Sequence, residues 1–227
     1  MSDPSVTYVS CGGEGDARRA HTQENGEPPI CYGSSWNFVL PADPTPAPRR
    51  RSEVFVSQGR EPRTYRPGDE VHFAATITGF LGAAADTTTD WHVLWQVLGQ
   101  TNGQWKGPSM ALIVADGRLA LSGGNGHPEH GEGNSYQWNR LITPYRDGTP
   151  YRIEIDSRLD AEDGWVTVRL DGETVLDRYR PRTAEGKRLG TVYPGQDELT
   201  ERYGLYRGSD AKPPAYAQMV RQDVVEE

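Results

Sequence analysis

From residue 50 onward, apolar and polar side chains alternate with a period of two. In the segment 70–78, Val71, Phe73, Ala75 and Ile77 occupy every second position. The same alternation recurs in residues 151–156 and 165–170. Because successive side chains of an extended strand point to opposite faces, this spacing indicates strands with one buried face. No helical period is sustained anywhere in the chain.

Turn signals separate these alternating segments. Asp-Gly pairs stand at 116–117, 147–148, 163–164 and 171–172, and the last pair predicts a hairpin between residues 165–170 and 173–179. The 26 Gly and 17 Pro are scattered along the chain, as suits many strands joined by turns. We therefore predict an all-β sandwich of roughly ten strands. Weak helix signals occur only at residues 196–202.

The first 34 residues differ from the rest of the chain. Residues 1–34 are polar and rich in Gly, Glu and Pro, which predicts an irregular arm with one short strand at residues 6–10. They hold too few apolar residues for a core of their own, so we expect them to pack on the domain or on a neighbour. Residues 35–227 form one predicted domain, in which the proline-rich run 41–48 is a loop. Length alone also allows two domains of roughly 100 residues each.

The charge and the hydropathy of the chain limit its partners. The net charge is −8, which disfavours non-specific binding to nucleic acid. No stretch approaches the roughly 18 apolar residues of a membrane-spanning helix, and no secretory signal is visible in residues 1–10. An acidic ligand would need a local basic patch, for which the sequence offers Arg49, Arg50, Arg51, Arg60, Arg63 and Arg66.

The two cysteines leave the redox compartment open. A bond between Cys11 and Cys31 would close a loop of about 20 residues, whereas two free thiols are the alternative. Two cysteines in a chain of this length do not decide between a disulfide and free thiols, and they do not define the redox compartment.

Four segments, taken in order, carry a family resemblance. They are Arg-Ser-Glu-Val at 51–54, Trp-His-Val-Leu-Trp-Gln-Val-Leu at 91–98, the pair 107–114 and 118–121, and Tyr-Gly-Leu-Tyr-Arg-Gly at 203–208. Together they resemble the concanavalin A-like polysaccharide lyases, the group that includes heparin, glucuronan and alginate lyases. The resemblance implies a two-sheet jelly-roll sandwich of the concanavalin A-like kind over about residues 50–222.

The resemblance also implies a reaction. These lyases break the bond next to a uronic acid by β-elimination, which needs a neutralised carboxylate, a base and an acid. Arg51 and Gln96 match the positions of carboxylate clamps, and Tyr206 matches the proton shuttle. Arg207, next to Tyr206, is a further candidate for substrate binding.

One position departs from the family pattern. The motif places a histidine two residues after the glutamine, whereas this chain has Leu98. Strict alternation predicts that His92 shares the substrate face with Gln96, and it predicts a core face for the other side of the strand, made of Trp91, Val93, Trp95 and Val97. His92 is therefore a candidate for substrate binding, four residues from Gln96.

A glycine-rich segment at 123–134 offers other imidazoles. His127 and His130 lie in it, and such a loop can act as a lid that carries His127 into the site, or it can be an ordinary solvated loop. Two histidines and two glutamates in one loop match no strong metal-ligand spacing, so we expect no metal and no cofactor. Near other turns, Trp105 and Trp138 are candidates for a sugar-binding rim, with rim packing as the alternative.

Hydrolysis is disfavoured because Glu154-Ile-Asp156 begins a glycosidase pattern that Leu159 does not complete. Two functions stay open. One is a lyase acting on an acidic polysaccharide or a cell-surface glycan, with an extracellular location. The other is a non-catalytic glycan-binding or structural protein of a phage virion, similar to a minor tail protein and assembled with other virion proteins or with copies of itself.

Overall fold

The structure is a computed structural model of the chain. It describes residues 6–10, 17–23, 27–32, 35–42, 50–58, 61–81, 91–101, 103–105, 107–124, 126–128, 137–207 and 214–221.

These residues form nineteen β-strands and no helix. The strands are β1 (Val6–Ser10), β2 (Ala17–Gln23), β3 (Ile30–Tyr32), β4 (Ser35–Leu40), β5 (Arg50–Phe55), β6 (Ser57–Gln58), β7 (Glu61–Pro62), β8 (Thr64–Tyr65), β9 (Glu70–Phe80), β10 (Trp91–Thr101), β11 (Gln104–Trp105), β12 (Met110–Ala115), β13 (Arg118–Gly123), β14 (Trp138–Pro144), β15 (Pro150–Arg158), β16 (Trp165–Leu170), β17 (Glu173–Tyr179), β18 (Gln196–Arg207) and β19 (Ala215–Arg221).

The strands build two large antiparallel sheets. A ten-stranded sheet has the order β1-β2-β5-β18-β10-β12-β13-β14, with β11 beside β10 and β8 beside β18. A seven-stranded sheet has the order β17-β16-β15-β9-β19-β4-β3. The prediction of an all-β jelly-roll sandwich is confirmed. No helix within the described ranges has the length and apolar character needed to cross a membrane.

Aromatic side chains join the two sheets. Phe73 of the seven-stranded sheet lies 5.6 Å from Trp95 and 6.2 Å from Tyr203 of the other sheet, measured between ring centroids. Phe38 adds an edge contact with Tyr203 at 6.0 Å. All four rings are fully buried. The face of each large sheet that packs on this core is called its inner face below, and the opposite face is called its outer face.

Two Asp-Gly turns have the geometry that tight hairpins require. Asp171 and Gly172, between β16 and β17, have φ values of 52° and 86°. Asp116 and Gly117, between β12 and β13, have φ values of 50° and 65°. Positive φ at both central residues matches the right-handed twist of the flanking strands and favours Asn or Asp followed by Gly. The predicted hairpin over residues 165–179 is therefore present.

The helix signal at residues 196–202 is wrong, because these residues begin β18. Residues with good helix propensity occupy the segment, but pairing with β10 on one side and with β5 and β8 on the other overrides that weak preference. Within the arm, β1 coincides with the predicted strand. The sequence reading missed β2, which pairs with β5, and β3, which pairs with β4.

The alternation along β10 is interrupted once. The register of β10 shifts between Val93 and Trp95 against both β12 and β18. A bulge of this kind places one extra residue in the strand and reverses the facing of every residue beyond it. Trp95 and Val97 face the core as predicted, and Leu94 packs there as well. Trp91 and Val93 pack in a separate cluster with Tyr206, so their predicted core facing is wrong.

Cys31 is disulfide-bonded, and Cys11 is the other cysteine of the chain. Cys31 lies in β3, at the edge of the seven-stranded sheet.

Candidate functional site

The outer face of the ten-stranded sheet gathers the residues of the predicted site. Strands β5, β18 and β10 lie side by side there. Tyr206 is paired in register with Arg51 on one side and with Val93 on the other. Since directly opposed residues of neighbouring strands project from the same face, these three positions form one row across the sheet.

Arg51 contacts Tyr206 in this row and Glu53 in the next row. Its guanidinium lies 4.1 Å from the centre of the Tyr206 ring. Its Nη1 lies 3.1 Å from Oε2 of Glu53, which stands two residues further along β5. Both Arg51 and Glu53 are buried. The cation is thus fixed between an aromatic face and a carboxylate.

Glu53 also holds the predicted amide. Gln96 Nε2 donates a hydrogen bond to Glu53 Oε1 across the sheet. Glu53 therefore joins Arg51 to Gln96, although sequence reasoning did not select it. The available signal was alternation, because Glu53 follows Arg51 by two residues and shares its face.

Tyr206 is framed by apolar groups and by a kinked backbone. Trp91 packs edge-on against its ring at 5.0 Å, and Val93, Ala111 and Ile113 belong to the same cluster. Two residues earlier, Gly204 has a φ of 144°, and an added Cβ would lie 2.3 Å from the carbonyl oxygen of Ser52. Only glycine accommodates this approach of β18 to β5, which explains the glycine of the Gly-x-Tyr segment.

The same face carries Leu98 and a second cation. Leu98 follows Gln96 by two residues with no shift of register between them, and it pairs with Thr200. An apolar side chain thus stands where the family motif has an imidazole. Arg202, opposite Gln96, places its guanidinium 4.3 Å from the ring centre of Phe55. Arg202 is thus a second cation on the face that carries Arg51.

His92 and Arg207 lie on the inner face instead, so the predicted shared face of His92 and Gln96 is wrong. The bulge in β10 separates the two. His92, Arg207 and Arg50 occupy one row of β10, β18 and β5, and all three are at most 1% exposed. Arg207 donates a hydrogen bond from Nη2 to the carbonyl oxygen of Pro41 at 2.9 Å. Neither His92 nor Arg207 therefore lies with Gln96 on the outer face.

Burial lowers the pKa values of His92 and Arg207 in this inner row. Burial, and then the charge of Arg207, lower the pKa of His92 from 6.5 to about 4. Burial, and then the charge of Arg50, lower the pKa of Arg207 to about 10. His92 is therefore a neutral imidazole at neutral pH.

The loop candidate His127 also lies away from Gln96. The His127 ring packs edge-on against Tyr193 at 5.9 Å, beside the end of the sheet where Thr101 pairs with Gln196. That end lies five residues along β10 from Gln96, about 16 Å at the rise of a strand.

Trp138 is a core residue that packs against Tyr179 at 5.9 Å and not a rim residue. His130 and the side chain of Trp105 lie outside the described residues. Among the described residues, no three His, Cys, Asp or Glu side chains are grouped so as to hold a metal ion.

The seven-stranded sheet has a polar groove on its own outer face, with a volume of about 440 Å³. Asp156 lies in it, with His72 Nδ1 and Arg169 Nη1 each 2.6 Å from its oxygens. Trp165 lines the same groove under the Arg178 guanidinium, which is 4.2 Å from its ring.

Comparison with known proteins identifies the class. The family model described as polysaccharide lyase matches residues 5–221 of the chain. Because that match covers nearly the whole sequence, the chain belongs to the polysaccharide lyase family. A comparison with curated proteins finds no significant match.

Solved structures show the same fold. Alginate lyase A1-II′, a member of polysaccharide lyase family 7, is 14% identical, with a TM-score of 0.52 over 90% of this chain and 84% of that chain. The alginate lyase from Corynebacterium sp. is 10% identical, with a TM-score of 0.50 over 95% and 91% of the two chains. Truncated AlyQ, with CBM32 and alginate lyase domains, is 14% identical, with a TM-score of 0.54 over 97% and 60%.

Proposed function

We propose that the chain binds a uronate-containing polysaccharide on the outer face of the ten-stranded sheet and cleaves it by β-elimination. The observation that carries this proposal is the convergence of Arg51, Gln96 and Tyr206 around one buried carboxylate, Glu53. A cation, an amide and a phenol are the groups that this reaction needs around the sugar carboxylate and the leaving oxygen.

Arg51 and Gln96 neutralise the substrate carboxylate. A guanidinium has five N–H donors and a side-chain amide has two, and a carboxylate accepts hydrogen bonds from both kinds of group. Glu53 fixes the orientation of these donors before substrate arrives, which limits the reorganisation needed in the transition state. Arg202 adds a second cation beside Gln96.

Tyr206 protonates the leaving oxygen. It stands in the same row as Arg51, with the guanidinium over its ring, so a sugar held through its carboxylate by Arg51 lies within reach of the phenol. The contact with Trp91 restricts the ring to one orientation. Loss of the hydroxyl therefore removes the acid and leaves the carboxylate clamp.

A second candidate function is glycan binding without turnover. Leu98 favours it, because an apolar side chain occupies the position of the motif imidazole on the outer face. In this case the protein recognises an acidic glycan as an attachment module, for example on a phage virion that meets a glycan-coated host.

The disulfide bond supports a location outside the cell in either case. Disulfides persist in extracellular and other oxidising compartments and are rare in the cytosol, where thiols are kept reduced. The bonded Cys31 therefore agrees with a protein that meets its glycan in such a compartment.

The experiment that separates these functions measures binding and turnover on the same glycans. Alginate, a polymer of glucuronic acid, a heparin-type glycan and a neutral glucan are each incubated with the protein. Ultraviolet absorbance reports the unsaturated uronate, and calorimetry reports binding. Lyase activity predicts new absorbance with one or more uronate glycans and none with the glucan. Binding without absorbance selects the second function, and equal behaviour toward the neutral glucan contradicts both.

A further inference from the structure

The outer face of the seven-stranded sheet carries an aromatic row far along β9. Strands β9, β19 and β4 lie side by side, and their register places Tyr216 between Phe80 and Val39. Ala215 and Ala217, on either side of Tyr216, are buried in the core, so the row projects from the outer face. The Phe80 side chain is 53% exposed, and its ring lies 6.5 Å from that of Tyr216, measured between centroids.

The next row consists mainly of amide and hydroxyl side chains. Gln218 lies between Asn37 and Thr78, and Asn37 is in turn the register partner of Ile30. The Tyr216 hydroxyl and Gln218 Nε2 both donate hydrogen bonds to Asn37 Oδ1. Asn37 Nδ2 donates to the backbone carbonyl oxygen of Ile30 at 3.4 Å. The aromatic row and this amide row are together called the neutral patch.

The neutral patch differs in charge from the rest of the same face. Its seven residues all have side chains of uncharged types. The neighbouring strand β15 carries Arg152, Glu154 and Asp156 on the outer face, where they form ion pairs. The charges of this face therefore lie beside the neutral patch and not within it.

The exposure and the size of the neutral patch limit what covers it. Single exposed apolar side chains are ordinary, but Ile30, 46% exposed, and Phe80 stand in neighbouring rows, as in an interaction site. At about 4.8 Å between strands and 6.8 Å between residues of one face, the patch covers roughly 230 Å². A stable protein interface needs about 800 Å² from each partner. The neutral patch is therefore small for a second protein chain and suits a short stretch of a sugar chain.

The chemistry of the neutral patch also suits an uncharged sugar. A sugar ring has an apolar face of C–H groups, which packs on an aromatic ring, and an edge of hydroxyl groups. An amide has two N–H donors and an acceptor oxygen, so it can bind hydroxyl groups in both senses. A largely apolar surface with a few fixed polar groups is the usual composition of a small-ligand site. The hydrogen bonds of Asn37 hold the two rows together before a ligand arrives, which lowers the cost of ordering them.

We propose that the neutral patch is a second glycan site, which binds an uncharged polysaccharide by stacking on its aromatic row and by hydrogen bonds with its amide row. This inference goes beyond the function proposed above. The clamp at Arg51 selects a uronate on the ten-stranded sheet, whereas the neutral patch takes sugars without a carboxylate. Because the two sites lie on opposite outer faces of the sandwich, a neutral glycan held here does not compete for the clamp.

The test titrates cellohexaose, mannohexaose and chitohexaose into the wild type, with calorimetry and ligand-observed nuclear magnetic resonance as readouts. At least one of these neutral oligosaccharides should bind. Phe80→Ala and Phe80→Leu should each weaken that binding by at least about tenfold, because both remove an aromatic anchor. Gln218→Ala should weaken it by about fivefold through the loss of a hydrogen bond. The matched control is Leu141→Ala on the other sheet, where the side chain is 54% exposed, and it should keep wild-type affinity.

The two glycan sites fail separately in this design. Arg51→Ala should leave the affinity for the neutral oligosaccharide unchanged, and Phe80→Leu should leave the affinity for an acidic glycan unchanged. A wild type that binds none of the three probes overturns the second site, as does wild-type affinity in Phe80→Leu. A dimer in sedimentation that dissociates in Phe80→Ala would make the patch an interface between copies and overturn the proposal. If the Phe80 variants lose their thermal unfolding transition, the folded Gln218→Ala variant decides, and unchanged affinity there overturns it.

Discussion

Both sheets place charged side chains on their outer faces, but the two faces differ in how far water reaches these charges. On the seven-stranded sheet, Asp156 pairs with His72 and Arg169, whose side chains are 38% and 36% exposed. On the ten-stranded sheet, Arg51 pairs with Glu53, and their side chains are 7% and 1% exposed. One face carries ion pairs in contact with water, whereas the other encloses its charges.

This difference in exposure separates a solvated surface from a candidate site. Ion pairs that water can reach contribute between about 0 and 1 kcal/mol, so they need no function to persist and little is lost without them. Enclosed charges cost several kcal/mol to desolvate, and breaking one partner of such a pair costs about 3–5 kcal/mol. On the ten-stranded sheet, the enclosed pair Arg51 and Glu53 lies in the segment 51–54, which is part of the family resemblance.

The sharpest test of this comparison is Tyr206→Phe. Removing the hydroxyl eliminates the proposed acid, so we expect turnover to fall by about 100-fold to 10,000-fold. The ring, its contact with Trp91 and the guanidinium above it are retained, so glycan affinity should change little. Initial rates of unsaturated-product formation and calorimetric affinities check both statements. Wild-type turnover in this variant would remove Tyr206 from the mechanism.

The next largest effect is expected for Glu53→Ala. The substitution removes the carboxylate that contacts the buried Arg51 and that accepts the hydrogen bond from Gln96. The free energy of unfolding should fall by about 3–5 kcal/mol, measured by urea denaturation. The equivalent change on the other face, Glu154→Ala, removes an acceptor of the half-exposed Arg152 and should cost less than about 1 kcal/mol. Equal losses in the two variants would break the comparison.

The inner row of the ten-stranded sheet predicts sensitivity to acid. His92 has a pKa of about 4 in the folded chain against 6.5 when unperturbed. Between these values the unfolded chain binds more protons, so stability is full above pH 6.5 and is lost as the pH falls toward 4. The difference corresponds to about 3 kcal/mol. Replacing His92 by Gln should flatten the pH dependence of the unfolding free energy in this window, and an unchanged slope would contradict the assignment.

The proposed clamp predicts a smaller effect on binding. Arg51→Ala removes one charge-assisted contact to the uronate, so affinity for an acidic glycan should weaken by about 2 kcal/mol. Binding should also become less sensitive to salt, because one fewer cation is screened. Arg169→Ala, on the outer face of the other sheet, is the matched control and should leave both quantities unchanged. Titrations at two salt concentrations measure the difference, and identical salt dependence in the two variants would argue against the clamp.

Much of the fold could be predicted from the sequence because it depends on local signals. Alternation located β9, β15 and β16, and the Asp-Gly pairs at 116–117 and 171–172 adopt the positive φ values that their turns require. Strand β2 could not be found in this way. Its seven residues are Ala-Arg-Arg-Ala-His-Thr-Gln, which lack an apolar face, and the strand forms by pairing with β5.

The site could be predicted only in part, for a similar reason. Arg51, Gln96 and Tyr206 were found from short motifs, and the register brings them to one face. The bulge between Val93 and Trp95 leaves no signal in the sequence. Strict alternation therefore predicts an outer-face position for His92, whereas His92 lies on the inner face. The position of Trp138 near a turn predicts a rim residue, whereas Trp138 packs in the core. Tertiary pairing decides each of these points.

The smallest effect is predicted for Asp156→Asn, on the solvated face. Burial alone would raise the pKa of the Asp156 carboxyl, but hydrogen bonds from His72 and Arg169 lower it. The carboxylate therefore adds stability above the pKa of the unfolded chain, and that contribution is lost as the pH falls through the lower folded value. Since the partners of Asp156 are more than a third exposed, screening by water limits the contribution to less than about 1 kcal/mol. Urea denaturation at pH 7 should show a change of that size, with glycan affinity and turnover unaltered. A loss comparable to that of Glu53→Ala, or weaker glycan binding, would mean that the seven-stranded sheet also encloses a site and that the two faces are not opposites.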